Sequence, residues 1–332
     1  MDIFAPACYS HFRCIANKCP DSCCKEWTVD VDPKSARFYR SLNGDLGARL
    51  REVLKDTKDG TIMEIENGRC PMWQSDGLCR IQAQLGHDAL CKTCRDFPRL
   101  RHDYGSFVEL GLELSCPEAA RLILSEDSRL VLLSSTPETP APEYAPDIMD
   151  TLRQSRSAVL SFLEDTQIPL QKALAAMLLY AYDVQAVLDG AEQPLPSVGD
   201  CLEEAEDLSC LGDISSVFSF FAGLEILTDT WKNRLLQPPV SAKWSPELRA
   251  FVRYMIQRYW LQAVSDYDLV CRVKLILVSC ILVRALGGDI VSTAQLFSKE
   301  IENDPDNVET ILDGAYTCPA LTDANLLGLL LA

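Results

Sequence analysis

The sequence contains no Gly-x-Gly, although it has 16 glycines. Rossmann-type folds need closely spaced glycines between a strand and a helix, because the backbone there approaches the phosphates of the cofactor. The nearest segment, NGDLGARL (43–50), does not follow a clear strand. The sequence therefore gives no support for a Rossmann-type cofactor fold.

Long uncharged apolar runs are also missing. The most apolar segment, residues 269–288, carries Arg272, Lys274 and Arg284, which favours a buried helix over a membrane span. The first residues, MDIFAPACYSHFRC, have no basic start, no unbroken apolar stretch and no small-residue cleavage site. We therefore expect no transmembrane segment and a cytoplasmic protein.

Positive charge is scarce. The chain has 31 Lys and Arg against 48 Asp and Glu, a net charge of −17. Residues 134–332 hold 13 basic against 28 acidic side chains, whereas residues 1–133 are nearly balanced at 18 against 20. Such a surface repels phosphate, so we expect no nucleic-acid partner and instead a protein or small-molecule partner.

Cysteine, in contrast, is abundant, with 15 residues. A reducing compartment disfavours disulfides, so clustered thiols indicate metal binding or redox chemistry. Ten cysteines lie in the first 116 residues, and Cys8, the first of them, is expected to be a spectator. The other nine are the candidate metal ligands: Cys14, Cys19, Cys23, Cys24, Cys70, Cys79, Cys91, Cys94 and Cys116. Cys201, Cys210, Cys271, Cys280 and Cys318 are scattered, and we expect them to be small buried side chains.

The spacing of these thiols predicts a metal site without deciding the metal. Cys91-x2-Cys94 can direct two sulfurs at one ion, and the adjacent pair Cys23 and Cys24 cannot readily bridge each other. The pattern is neither a zinc ribbon nor a ferredoxin run, so zinc and an iron–sulfur cluster both stay open. The three histidines, at 11, 87 and 102, are each better explained as structural residues than as ligands.

The proline-rich segment SSTPETPAPEYAPD (134–147) predicts a linker. It divides the chain into a cysteine-rich metal-binding domain over 1–133 and an all-helical domain over 148–332. In the first, we expect strands in 26–33 and 61–70 that pair beside the cysteines, and a helix over 37–56 interrupted near Gly44. The predicted fold class is mainly α, with an irregular cysteine-rich half that holds a small β element, followed by a helical bundle.

Local signals place the remaining helices. One begins near Cys116, with Ser115 and Glu118 at capping-box spacing and Pro117 in the first turn. Another follows Asp150 as N-cap. The second half is predicted to hold helices over 151–165, 168–190, 214–236, 246–265, 267–287, 292–303 and 306–315.

Three blocks in the first 125 residues carry a resemblance. In residues and in order they resemble the signature of the flagellin lysine-N-methylase family. The blocks are FRCIANKCPDSCCKEWTVDVD (12–32), GRCPMWQSDGLCRIQAQLGHDALCKTCRDFPR (68–99) and LELSCPEAARLIL (112–124). That family is part of a wider group with a CxxCxxCC zinc- or iron-chelating region.

The resemblance implies an S-adenosylmethionine-dependent protein lysine N-methyltransferase that acts on flagellin, in the cytoplasm. It also implies a [4Fe-4S] cluster held by the cysteine-rich half, with zinc as the runner-up. We expect Cys19, Cys23, Cys24, Cys79, Cys91 and Cys94 to be the first choice of ligands, followed by Cys14, Cys70 and Cys116. Nine thiols exceed the four that one cluster needs, so either two sites exist or several thiols are spectators.

Two other functions are compatible with the same residues. In one, zinc stabilises a protein-binding module whose acidic helical half takes a basic partner. In the other, the cluster serves a redox or sensor protein without transferase activity. The sequence is compatible with a monomer or an oligomer.

Overall fold

The computed structural model describes residues 1–137, 140–208 and 210–331. It is 56% helical and 12% strand, which confirms the mainly-α prediction. The first half holds two small sheets and short helices. Its strands are β1 Asp2–Pro6, β2 Val29–Val31, β3 Leu54–Thr57, β4 Gly60–Met63, β5 Arg99–Asp103, β6 Phe107–Leu112 and β7 Leu130–Ser135. Its helices are α1 Pro33–Ser41, α2 Gly44–Val53, α3 Arg80–Leu85, α4 Lys92–Asp96 and α5 Pro117–Ser125.

The smaller sheet has the strand order β2-β4-β3. Val31 lies opposite Thr61, so the predicted pairing of segments 26–33 and 61–70 is confirmed. The predicted break near Gly44 is also confirmed, because α1 and α2 are separate helices and Gly44 has a φ of +74°. The helix predicted to continue to residue 56 is wrong at its end: residues 54–57 instead pair with β4, where the ladder satisfies their backbone groups.

The larger sheet, in the order β5-β6-β1-β7, was not predicted. β1 runs parallel to β6 and antiparallel to β7, so Ile3 lies opposite both Val108 and Ser134. Each of these pairings joins residues more than 100 positions apart, which leaves no local pattern in the sequence.

The second half is helical where the structure describes it. Its helices are α6 Pro146–Glu164, α7 Leu170–Leu188, α8 Val198–Glu206, α9 Ile214–Ala222, α10 Asp229–Leu235, α11 Pro246–Tyr259, α12 Leu269–Leu286, α13 Ile290–Phe297, α14 Pro305–Gly314 and α15 Asp323–Leu331. A single π-helical turn, Ser298–Glu302, extends α13. Helices α8 and α15 were not predicted, and the helix predicted over 214–236 is two helices separated by residues 223–228.

Two predicted caps are wrong. Helix α6 begins at Pro146, four residues before the predicted N-cap Asp150, because Pro146 fits the first helical position. Helix α5 has Cys116 as its N-cap, and the hydroxyl of Ser115 has no hydrogen-bond partner among the described residues. The predicted Pro117 at the first position is confirmed.

The buried apolar side chains form two separate cores. The smaller is built around Tyr39, Leu50 and Met72 beside the cysteines. The larger joins Leu114 of the first half to Trp260 and many other side chains of the helical half. The predicted linker 134–147 includes residues 138 and 139, which lie outside the described residues, and the division into domains stays a prediction.

Helix α12 is buried almost throughout, as predicted for residues 269–288. Its two buried cations are compensated. Arg272 lies 2.8 Å from the carboxylate of Asp266, and the ammonium of Lys274 donates to Ala315 O at 2.8 Å. Within the part of the chain that the structure describes, no helix combines the length and apolarity needed to cross a bilayer.

Gly328 of α15 faces the backbone of Gly212 at close range, and a Cβ at either position would overlap the other segment. We expect Gly328→Ala to lower the free energy of unfolding by about 1–3 kcal/mol, because the rigid backbone has to move apart. Gly199→Ala in α8 is the control, since a Cβ there meets only ordinary contacts. Urea unfolding measures both variants, and equal stabilities would contradict this packing.

Candidate metal centre

All nine candidate cysteines line one cavity of about 1220 Å³. One wall is the smaller core with its thiol-bearing segments, and another is the loop that holds Cys14 to Cys24. The helical half closes the remaining side with residues 225–227 and 299–305. Thiols separated by up to 102 positions in the sequence therefore face one space, which spacing alone did not establish.

Three of the thiols occupy the same kind of position. Cys79, Cys91 and Cys116 are the N-caps of α3, α4 and α5. Backbone amides near the start of each helix approach the sulfur, as those of Glu118 and Ala119 do at Cys116. These hydrogen bonds lower the pKa of the thiol, whereas burial raises it. Amides aimed at sulfur stabilise a thiolate, so these positions suit metal ligands.

Six thiols form what we call the inner group. Its members are Cys23, Cys24, Cys70, Cys79, Cys91 and Cys94. Short backbone contacts hold their segments together: the amide of Cys70 donates to Cys24 O at 2.7 Å, and that of Arg80 donates to Met72 O at 2.7 Å. All of these thiols except Cys23 belong to the smaller core or pack against it.

The electrostatics of the inner group disfavour several thiolates at once. Burial, followed by repulsion from Cys24, Cys79 and Cys91, raises the pKa of Cys70 to about 12. Within the CKTC turn, a hydrogen bond with Cys94 lowers the pKa of Cys91 to about 7, and the same bond raises the pKa of Cys94. Several of these thiols can be deprotonated together only if positive charge lies among the sulfurs. A metal ion is one source of such charge.

The remaining three thiols, Cys14, Cys19 and Cys116, form the outer group. Burial is the main cause that raises the pKa of Cys116, to about 11, with smaller effects from Cys19 and Cys14. Cys14 is exposed and Cys19 and Cys116 are half-buried, whereas the inner group includes two buried thiols, Cys70 and Cys91, besides the exposed Cys23.

Among the described residues, no three His, Cys, Asp or Glu side chains converge as a single metal ion requires. The nine candidate ligands are nevertheless all thiols, which are the type of donor that binds zinc or iron–sulfur clusters. In a [4Fe-4S] cluster each thiolate binds a different iron, so the sulfurs do not have to meet around one ion. By donor chemistry, the inner group fits such a cluster.

The other six cysteines are buried or half-buried, and the three histidines lie in different surroundings. Cys8, Cys201, Cys271 and Cys280 are buried, and Cys210 and Cys318 are half-buried against the larger core. His11 contacts Glu126 at 2.8 Å, and His102 lies in β5. His87, however, lines the cavity beside the thiols.

One wall of the same cavity carries carboxylates that sequence reasoning missed. Glu300 accepts from the amide of Leu227 at 2.8 Å, and Glu302 accepts from the hydroxyls of Tyr254 and Tyr259. Glu113 completes the wall, and burial raises its pKa to about 7. These carboxylates come from distant segments and follow no motif, so only their position in the fold reveals them.

No family model matches the sequence, and no solved structure matches it. Three curated proteins do. The chain is 33% identical to the flagellar biosynthetic protein FliU of Salmonella muenchen, over 38% of this chain and 79% of that protein. The chain belongs to the FliU and lysine-N-methylase family. The family resemblance inferred from the cysteine blocks is thereby confirmed.

Two other members of this family extend the match. The chain is 28% identical to proteins named lysine-N-methylase from Salmonella choleraesuis strain SC-B67 and from Salmonella typhimurium strain LT2. Each match covers 60% of this chain and 52% of the relative. The chain therefore spans about half the length of these two relatives.

Glu113 makes the stability of the metal-free protein depend on pH. The pKa of its carboxyl group rises from 4.5 to about 7 on folding. Between these pH values this carboxyl is ionised in the unfolded chain and protonated in the folded protein, so the free energy of unfolding falls as the pH rises. We expect Glu113→Gln to remove this loss, which amounts to at most about 3 kcal/mol above pH 7. Urea unfolding from pH 4.5 to 8 measures the difference from wild type, with the exposed Glu309→Gln as control. A difference that does not change with pH would contradict the assignment.

Proposed function

We propose that this protein is an S-adenosylmethionine-dependent protein lysine N-methyltransferase that acts on flagellin and carries a [4Fe-4S] cluster in its cysteine-rich half. The observation that carries the proposal is the single cavity in which nine thiols face an acidic wall. The names of the relatives, lysine-N-methylase and flagellar biosynthetic protein, support the reaction and the class of substrate.

The inner group would hold the cluster, with Cys24, Cys79, Cys91 and Cys94 as its first four ligands. They lie close to one another and come from three segments that the smaller core holds together. When bound, such a cluster would supply redox chemistry, and an iron that lacks one of these four thiolates would offer a site for the amino and carboxylate groups of S-adenosylmethionine. Cys70 and Cys23 border the same group.

The cavity has room for more than a cluster. Its volume of about 1220 Å³ exceeds the range of about 300–1,000 Å³ that is usual for a single small ligand. Acidic side chains outnumber basic ones among the residues that line the cavity, which favours a cationic guest, such as the ammonium of a lysine side chain. Trp27 and Met72 contribute apolar surface that excludes water from the reacting groups.

Methylation forms a bond between the lysine nitrogen and the methyl carbon, breaks the sulfur–methyl bond of the sulfonium, and leaves a thioether. The amine must also lose one proton. Glu113 is placed in the cavity wall to accept it, because a carboxyl with a pKa near 7 exchanges protons at neutral pH.

Metal analysis distinguishes the inner from the outer thiols. Protein purified without oxygen is expected to hold about four iron and four sulfide per chain. We expect Cys91→Ser to lose nearly all of both and Cys14→Ser to retain most, because Cys14 is exposed and lies outside the inner group. Cys210→Ser, away from the cavity, is the control. Zinc without sulfide would overturn the cluster and favour the zinc-stabilised binding module.

Transfer of a labelled methyl group from S-adenosylmethionine to lysines of purified flagellin tests the reaction. We expect activity in the cluster-loaded wild type and a loss of about 10²-fold or more in Glu113→Gln, since a positioned proton acceptor contributes at least that much. Glu309→Gln is the control, and iron content shows that each variant is loaded. A loaded protein that transfers no methyl group would leave the redox or sensor function instead.

A further inference from the structure

The loop that carries Cys19, Cys23 and Cys24 is fastened to the helical half by a few polar side chains. The centre of this contact is Asp21, which lies between the thiols. Its carboxylate is 2.7 Å from the ammonium of Lys25 and 3.0 Å from that of Lys299. The amide of Gln295 donates to the same carboxylate at 3.1 Å.

Lys299 makes a second contact with the loop, to the carboxylate of Glu26. The side chain of Lys299 is only 11% exposed, so its charge is held between Asp21 and Glu26 rather than dispersed in water. Few ion pairs at a protein surface contribute measurably to stability, but a network that is mostly shielded from solvent is an exception.

Gln295 connects the loop to another thiol segment. Its amide also donates to Ser115 O, at 2.9 Å, next to the outer thiol Cys116. Gln295 and Lys299 are four residues apart, on α13 and on the π-helical turn that follows, so both face the cysteine-rich half. π-helical turns are rare and are frequent at functional sites.

The backbone of the loop indicates that it needs this support. Ala16 and Glu26, on either side of the thiols, have φ values of +52° and +71°, in the left-handed region that non-glycine residues seldom adopt. Such conformations persist where surrounding contacts hold them. For Glu26, the contacts are Lys299 and the hydrogen bond from its amide to Gly68 O at 3.0 Å.

We propose that Gln295 and Lys299 are positioning residues that hold the thiol loop in the cavity, so that the helical half decides whether Cys24 reaches the group bound there, with Cys19 and Cys23 carried on the same loop. The inference rests on the proposed function only in taking Cys24 as a metal ligand. The docking of the loop itself does not depend on which metal binds or on the reaction.

Thiol accessibility in the full-length, metal-free protein tests the docking. We expect Lys299→Met to raise the rate at which N-ethylmaleimide labels Cys19 and Cys24 by roughly 5- to 30-fold, the change that a loss of one or two kcal/mol produces. The rates are read for each cysteine by peptide mass spectrometry. Lys299→Arg should restore slow labelling, and Lys232→Met, an exposed lysine of the helical half, should have no effect.

Gln295→Leu supplies an independent test. Because Gln295 also holds the segment of Ser115, this variant should speed labelling of Cys116 as well, whereas Lys299→Met should not. Cys271, buried in α12, reports global unfolding and should stay slow in every variant.

The proposal is overturned if both Lys299→Met and Gln295→Leu are labelled at the wild-type rate. It is also overturned if Lys299→Arg is labelled as fast as Lys299→Met. In anaerobically reconstituted protein, Lys299→Met should also bind less iron than wild type and show a weaker visible absorption band. Because the labelling uses metal-free protein, a failure of the cluster proposal is distinguished from a failure of the docking.

Discussion

The candidate site depends on one constraint, which is that nine thiols line a single, partly buried cavity. Burial and mutual repulsion hold most of these thiols neutral, as at Cys70, and the sulfurs can become thiolates together only if positive charge is placed among them. The proposed metal group would provide that charge, and the backbone amides at Cys79, Cys91 and Cys116 would add to it. The fold itself supplies the thiols that line one cavity.

The surrounding architecture follows from this requirement. Short helices begin at three of the thiols, and a small sheet with its own apolar core supports the segments that hold the inner group. The helical half contributes the opposite wall, with the carboxylates of Glu300 and Glu302 and the cation of Lys299. The proposed reaction has its components on two sides of one cavity: soft donors on the first, and groups that recognise a cationic side chain on the second.

Local signals were reliable where one segment decides its own structure. The break at Gly44, the proline at the start of α5 and the burial of α12 all follow from neighbouring residues. Predictions failed where pairing with another segment decides the structure. Residues 54–57 left the predicted helix for the ladder of the neighbouring strand β4. The parallel pairing of β1 with β6 has no local signal at all.

The sequence by itself determined the donors of the candidate site: it supplies nine candidate thiols in the first 116 residues, of the type that binds zinc or iron–sulfur clusters. Which thiols are neighbours, and what faces them, was decided only by the tertiary structure. The distances between Cys24, Cys79 and Cys94 depend on how separate segments pack on Tyr39 and Met72. Glu113 and Lys299 share no motif, and they line the cavity with the thiols because long-range packing brings the end of β6 and the π-helical turn together, while Gln295 contacts the thiol loop at Asp21.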